Sequence, residues 1–240
     1  MYKYFPTTTE ELATIIKAEV EKKGWNCSLN HIDVSQITDM SYLFSNTFYY
    51  GYKLGEFNGD ISRWNVSNVD NMRSMFEGAK SFNQSICDWD VSNVANMEDM
   101  FSGADSFNQP IGDWDVSNVT NMNGMFYKAK SFNQPIGDWD VSKVINMGYM
   151  FSHNYVFNQP IGDWDVSNVK NMVSMFDHTH SFNHPIGDWD ISNVTDMNYI
   201  FYSAEQFDQD LSKWKIKTNC DTAGIFWNCP IKEEYKPKVI

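Results

Sequence analysis

Seven tryptophans recur at intervals of 25 residues and keep one register through most of this 240-residue chain: Trp64, Trp89, Trp114, Trp139, Trp164, Trp189 and Trp214. Around each lies the pattern I-x-x-W-x-V-S-x-V-x-N-M-x-x-M-F-x-x-A-x-x-F-N. A period of this length is typical of a solenoid, in which each repeat buries its apolar face against its neighbours. The pattern extends one unit towards the N-terminus, and an insertion near residues 45–56 follows that unit. We therefore predict a solenoid of about eight 25-residue repeats over residues 31–229.

Each repeat carries one spacing typical of a helix and one typical of a strand. Met97, Met100, Phe101 and Ala104 stand at i, i+3, i+4 and i+7, which indicates one face of a helix, and the preceding Asn96 suits an N-cap.

Trp89 and Val91 alternate as they would on a strand. One strand and one helix per repeat predict an α/β repeat solenoid, a leucine-rich-repeat-like right-handed coil of short parallel strands and short helices. In it the Trp, Met and Phe columns form the core, and the Asn and Ser columns have structural roles.

The two ends differ from the repeats. Thr8 and Glu11 form a capping-box pattern, an apolar stripe follows, and Gly24 stops the segment, which predicts a helix up to Lys23. We assign residues 1–30 to an N-terminal capping helix, with docking of a partner on that helix as the alternative. Residues 230–240, with two prolines and several charged residues, are predicted to form a C-terminal tail.

The charge balance restricts the partners. The chain has 31 acidic and 18 basic residues and a net charge of −13. Nucleic-acid binding needs clustered Lys and Arg, so this composition predicts no nucleic-acid partner. No apolar run is long enough for a membrane span. A basic protein partner or metal ions suit the negative sign.

The acidic residues beside the tryptophans are the first candidate binding site. They occupy the positions directly before and directly after five of the Trp residues: Asp88, Asp90, Asp113, Asp115, Asp138, Asp140, Asp163, Asp165, Asp188 and Asp190. If each Trp points inward from a strand, both flanking side chains point outward and form an acidic strip. Three interpretations remain open: the strip binds a basic partner, it holds calcium, or its carboxylates bond turn amides and face water.

The positions that vary between repeats form the second candidate site. The variable residues on the predicted outer helix face are Glu98, Asp99, Tyr127, Tyr149, His153, His178 and Tyr199. Core packing does not constrain such positions, so they are where a scaffold could carry specificity.

The sequence contains no motif for catalysis. It lacks a phosphate-binding loop, a nucleophile elbow and a His-Glu metalloprotease signature, which predicts a protein that is not an enzyme and has no cofactor. His153 and His178 are 25 residues apart, with His180 and His184 nearby. A transition-metal site there is an alternative, but the spacing alone assigns no metal ligand.

The run V-S-N-V-T-N-M-x-x-M-F at residues 116–126 resembles the repeats of the BspA-like leucine-rich-repeat bacterial surface proteins. The opening, with Phe5-Pro6-Thr7 and Glu10-Glu11-Leu12, is similar to the cap that precedes such arrays. This resemblance implies a solenoid with a role in adhesion or protein binding, and it implies no catalytic residue.

The expected function is a non-enzymatic protein-interaction scaffold that binds a partner through the acidic strip or the variable face. A partner of the acidic strip is expected to be basic. The alternatives are a carbohydrate- or host-surface-binding adhesin and a calcium-binding structural repeat protein. The absence of a signal-peptide pattern at the start predicts a cytoplasmic protein, whereas the resemblance implies the cell surface. The sequence indicates no oligomeric state.

Overall fold

The computed structural model describes residues 2–239. Its regular elements, in chain order, are α1 (Thr9–Lys23), β1 (Lys215–Ile216), a 3-10 helix (Glu233–Tyr235) and β2 (Lys238–Val239). β1 and β2 pair in parallel, with Lys215 opposite Lys238. Within the part of the chain that the structure describes, the 25-residue repeats contain no α-helix, and β1 is their one strand.

The repeats lie side by side in chain order. One residue of each forms a parallel bridge with its equivalent in the next repeat, and the series runs through Asp39, Asn71, Asn96, Asn121, Asn146, Asn171, Asp196 and Asp221. Because bridged residues of parallel neighbours lie directly opposite each other, each repeated residue becomes a column along the stack.

Tight turns replace the helix predicted at the Met positions. The Met100 amide donates to the Met97 carbonyl three residues earlier at 3.2 Å, which closes one turn, and a second such turn follows it. Asp99 has a φ of +54°, as the third residue of a type II turn requires, and its amide donates to the Asn123 carbonyl of the next repeat at 2.8 Å. A helix would keep these bonds within one segment, each amide bonding four residues back. The prediction of a helix in each repeat is therefore wrong.

The strand predicted around each Trp is also wrong for every repeat but the last, where β1 directly follows Trp214. Trp89 and Val91 belong to neither strand and to none of the parallel bridges, which lie instead at the Asn96 position. The alternation of buried and exposed side chains holds nevertheless: Trp89 and Val91 are buried, and Asp90 between them is exposed. The chain here does not pair with its neighbours as a sheet, so the alternation exists without a ladder.

The aromatic columns form the core. Trp114 is 4 % exposed, and its indole N–H donates to the Ile86 carbonyl at 3.1 Å. The rings of Phe101 and Phe126 stack at 5.8 Å between centroids, and Phe126 contacts Phe132 at 3.8 Å. This hydrogen bond pairs a buried donor with a buried acceptor, so the Trp column both packs the core and satisfies backbone carbonyls of the neighbouring repeat.

An amide column joins successive repeats at a second place. The side-chain oxygen of Asn108 accepts from the backbone N–H of Asn133 at 3.0 Å, and Gln134 donates to the Asn108 carbonyl at 3.1 Å. The same arrangement recurs from Asn58 to Asp208. These side chains are partly or fully exposed, so the column acts through hydrogen bonds to the backbone of the next repeat rather than through burial.

The glycine before four of the five Asp-Trp pairs permits the close approach of two repeats, and Cys87 takes its place before the first pair. A Cβ placed on Gly137 would lie 2.5 Å from the carbonyl oxygen of Pro160 in the next repeat. Gly112 and Gly162 stand in the same relation to the following proline. At these glycine positions the contact leaves no room for a side chain unless the neighbouring carbonyl moves.

The helix α1 covers the first repeat. Thr8 is its N-cap and accepts from the Glu11 amide, and Leu12, Ile16 and Val20 are buried against the stack. Glu19 is also buried, at 3 % exposure. Burial raises the pKa of the Glu19 carboxyl, but hydrogen bonds from Lys23, Tyr4 and Lys3 outweigh that effect and lower the pKa to about 2.

The far end of the stack is covered by residues predicted as a tail. The Leu211 amide donates to the Tyr235 carbonyl at 2.9 Å, Ile231 is 6 % exposed, and β2 pairs with β1 in the last repeat. The predicted insertion is a loop that leaves and returns at one place, since the Leu54 amide donates to the Ser45 carbonyl at 3.2 Å.

Candidate functional site

The structure places all ten carboxylates of the acidic strip on the exposed surface, while the Trp residues between them are buried. The strip therefore consists of two columns, one before the tryptophans and one after them. Its equivalents in the end repeats include Arg63, Lys213 and Lys215, so cationic side chains mark the two ends.

The column after the tryptophans is engaged by the backbone. The Asp115 carboxylate accepts from the Ser117 amide at 3.0 Å, and Asp90, Asp140, Asp165 and Asp190 bond the amide two residues later in the same way. Side-chain and backbone hydrogen bonds from Ser117 lower the pKa of Asp115. These residues stabilise turns, as one of the three interpretations expected.

The column before the tryptophans is free of such bonds. Asp188 forms an ion pair with Lys213, whereas Asp88, Asp113, Asp138 and Asp163 have no ion pair and no side-chain hydrogen bond within residues 2–239. Like charges on adjacent repeats are mutually unfavourable. This column is therefore the part of the strip whose charge the protein leaves unbalanced.

One cationic side chain beside the acidic strip was not predicted from the sequence. Lys143 occupies the position where neighbouring repeats have Asn118 and Asn168, and its ammonium donates to Asn118 at 2.6 Å. Its charge helps to lower the pKa of Asp115 and of Asp140. Its irregularity within an otherwise regular Asn column was the signal that could have revealed it.

The variable positions lie on stacked turns rather than on helices. The Tyr127 ring meets Tyr149 at 6.4 Å and His153 at 5.9 Å, and His153 stacks on His178 at 4.6 Å between centroids. Tyr199 lies further along the same surface, and it is 42 % exposed. These five of the seven predicted residues therefore share one face.

The two acidic members of the predicted set lie at the other end of that face. Glu98 pairs with Arg73 at 3.2 Å. Burial, together with the Glu77 and Glu98 carboxylates, raises the pKa of Asp99 to about 6. Asp99 also lines a hollow with Asn123, Tyr127 and Tyr149.

Several residues of this face were not predicted as site residues. Tyr155 contacts His180 at 4.8 Å, and Tyr202 contacts His178 at 5.3 Å and Trp227 at 5.8 Å. We call the resulting surface the aromatic strip: Tyr127, Tyr149, His153, Tyr155, His178, His180, Tyr199, Tyr202 and Trp227. The 25-residue spacing of Tyr155 from His180, and of Tyr202 from Trp227, could have identified them.

Comparisons with known proteins place the chain in a family without a known activity. No helix within residues 2–239 has the length and apolar character needed to cross a membrane. No curated protein matches the chain, and no solved structure matches it. One family model matches twice, over residues 45–155 and over residues 134–236, which together span most of the sequence. The chain belongs to the repeat family described as Mycoplasma protein of unknown function, DUF285.

Proposed function

We propose that this protein is a non-enzymatic interaction scaffold of the BspA-like, leucine-rich-repeat type, a right-handed solenoid that binds a basic protein partner along its acidic strip. One observation carries the proposal: nine of the strip's ten exposed carboxylates have no ion-pair partner within residues 2–239.

The spacing of the strip suits an extended cationic partner. The Trp164 and Trp189 rings of successive repeats stack at 6.5 Å between centroids, so the carboxylates beside them recur at a spacing close to the Debye length at physiological salt, which is about 8 Å. Their charges therefore repel one another, and a partner with a row of Lys or Arg side chains would relieve that repulsion on binding. Complementary charge of this kind accelerates association and selects the partner.

The aromatic strip is the second candidate face for the same scaffold function. Tyr149, Tyr155 and Tyr199 are about 40 % exposed and Trp227 is 63 % exposed. Exposed aromatic side chains are enriched among the residues that dominate binding energy at protein interfaces.

The other two interpretations have less support. Carbohydrate binding along the regular Trp column would need those rings to be exposed as stacking platforms, and they are 2–4 % exposed. Calcium would need several converging oxygen ligands, and within residues 2–239 no three carboxylates of the acidic strip lie close enough to share one ion.

Matched charge variants test the proposal. The strip variant combines Asp113→Asn, Asp138→Asn and Asp163→Asn, which removes three charges from the column before the tryptophans without changing side-chain size. The control variant combines Glu21→Gln, Glu56→Gln and Glu234→Gln, which removes three exposed charges elsewhere. Immobilised wild type, strip variant and control variant are used to capture partners from an extract of the source cells, and the affinity of each captured protein is then measured.

We expect a basic protein that binds wild type and control equally, binds the strip variant at least about tenfold more weakly, and dissociates as salt is raised. If a specific partner binds wild type and both variants equally, its binding site does not lie on the acidic strip. A third variant, Tyr149→Ala with Tyr199→Ala, then shows whether the aromatic strip holds that partner.

A further inference from the structure

His153, Asp177 and His178 converge on the aromatic strip. The three residues each offer one ligand atom, and these atoms lie within 4.8 Å of one another. His178 Nδ1 contacts one oxygen of the Asp177 carboxylate, and His153 Nδ1 lies 4.0 Å from the other oxygen. Two imidazoles and a carboxylate are a donor set that suits zinc and its neighbours among the transition metals.

The stack of repeats is what brings these residues together. His153 and His178 occupy one column, and their equivalents in two earlier repeats are Gly78 and Gly103. All four have a positive φ, +58° and +53° for the two histidines. Both imidazoles therefore project from the same point of consecutive turns, and Asp177 precedes the second of them.

A buried hydroxyl supports the cluster from beneath. Ser152 is fully buried, and its Oγ lies 3.0 Å from His153 Nδ1 and 3.4 Å from a carboxylate oxygen of Asp177. A hydrogen bond to one ring nitrogen of a histidine fixes the ring's orientation and leaves the other nitrogen free to bind a metal ion. The three ligand residues are themselves only partly exposed, so their side chains are restrained while an ion can still reach them.

The distances allow a metal ion to be held by side-chain rotation alone. Ligands about 2.0–2.1 Å from a tetrahedral zinc ion are roughly 3.3 Å from one another. Ligand atoms now within 4.8 Å of one another must therefore approach by at most about 1.5 Å, while His178 Nδ1 and the Asp177 oxygen that it contacts must move apart by about 0.8 Å. Rotations about the χ angles of the two histidines provide that movement, and the backbone of the stack stays in place.

We propose that His153, Asp177 and His178 form a binding site for a zinc-like transition-metal dication, with two imidazole nitrogens and one carboxylate oxygen as ligands. The remaining coordination position faces solvent, where water completes the tetrahedron. Because His153 and His178 belong to successive repeats, the bound ion cross-links them and stabilises the stack locally.

Zinc binding to the purified full chain tests the proposal by calorimetry and by thermal melting. The ligand variants take residues found at the same position in other repeats: His153→Gly and His178→Gly follow Gly78 and Gly103, and Asp177→Ser follows Ser102. They are therefore expected to fold, and circular dichroism checks that they do.

His184→Gln is the matched control. His184 stands where other repeats have Gln109 or Gln159, and its ring bonds the Asn158 carbonyl as those glutamines bond their own Asn partner. The substitution removes a histidine six residues further along the chain than His178 without removing a proposed ligand. Cysteine thiols are the same in all variants, so zinc bound by them cancels in the comparison.

We expect wild type and His184→Gln to bind one zinc ion more than the double variant His153→Gly/His178→Gly, and to keep it in a large excess of Mg²⁺. Each single ligand variant should weaken that binding at least about tenfold. Zinc should raise the melting temperature of wild type and control alone. Equal zinc stoichiometry and affinity in wild type and the folded double variant would overturn the proposal.

Discussion

Substitution of Trp114 separates the two contributions of the Trp column. Trp114→Ala removes both the buried ring and the indole N–H that donates to the Ile86 carbonyl. Trp114→Phe keeps an aromatic ring in the column and removes only the N–H donor and part of the ring volume. Trp114 lies in the middle of the stack, so a defect there affects a neighbour on each side.

The magnitudes follow from burial and from the lost hydrogen bond. Truncating a buried Trp to Ala costs about 3–5 kcal/mol, and leaving the buried Ile86 carbonyl without its donor costs roughly 1–3 kcal/mol more. The alanine variant should therefore lose at least about 4 kcal/mol of unfolding free energy. The phenylalanine variant should lose about 1–3 kcal/mol, most of it from the unsatisfied carbonyl.

Urea denaturation monitored by circular dichroism measures both losses, with Trp227→Ala as the control. Trp227 is 63 % exposed and its indole N–H donates no hydrogen bond within residues 2–239, so its substitution should change stability by about 0.5 kcal/mol or less. Equal losses for Trp114→Ala and Trp227→Ala would refute the inward register of the tryptophans. Equal losses for the alanine and phenylalanine variants at Trp114 would refute the role given to the ring.

Three further perturbations have defined outcomes. Gly137→Ala should lower the melting temperature well below that of Gly51→Ala, because the new Cβ would lie 2.5 Å from the Pro160 carbonyl, whereas at Gly51 the Cβ has open space and only the positive φ of +80° opposes it. Glu19 has a folded pKa of about 2 against an ordinary 4.5, so the stability that its ionised carboxylate gives the fold is present above about pH 4.5 and is lost as pH falls towards 2. In denaturation curves, Glu19→Gln should make the free energy of unfolding less dependent on pH in this acid range. Asp99 has a folded pKa of about 6 against an ordinary 3.8, so its contribution to the free energy of unfolding is present below about pH 4 and is lost as pH rises through 6. Asp99→Asn should therefore be more stable than wild type above about pH 7 and equal to it near pH 4. A stability difference that stays constant with pH would contradict the assignment.

Side-chain burial in the repeats followed from the sequence, whereas their secondary structure did not. The spacing of Met97, Met100, Phe101 and Ala104 matches a helix face, but two consecutive turns place the same four side chains in the core. Asn96 is equally ambiguous, because its side chain accepts from the amide two residues later, as both an N-cap and a turn require.

The glycines were the signal against helices. Gly78, Gly103 and Gly124 fall inside the segments interpreted as helical and have positive φ, and glycine is the costliest residue other than proline in a helix interior. The capping helix at Thr9–Lys23 was predictable because it combines an N-cap, an apolar stripe and a terminal glycine within one uninterrupted segment.

The acidic strip could be located from the sequence because it depends only on side-chain alternation around each Trp. The division between its two columns could not, since nothing in the residue types shows which Asp bonds the Ser amide. Only some members of the aromatic strip could be predicted, because the residue types do not show which side chains lie side by side. Its members come from different offsets within the repeat, and only the path of the turns brings Tyr149 beside Tyr127.

The inward orientation of the tryptophans determines whether the acidic strip exists at all, and acrylamide quenching of tryptophan fluorescence tests it directly. In a variant with Trp25→Phe and Trp227→Phe, the exposed indoles are gone and the seven that remain are 2–4 % exposed. Acrylamide is neutral, so the net charge of −13 does not repel it. We predict that the folded variant is almost unquenched and that quenching appears on unfolding in urea. Quenching of the folded variant as strong as that of the unfolded chain would contradict the inward register and, with it, the acidic strip.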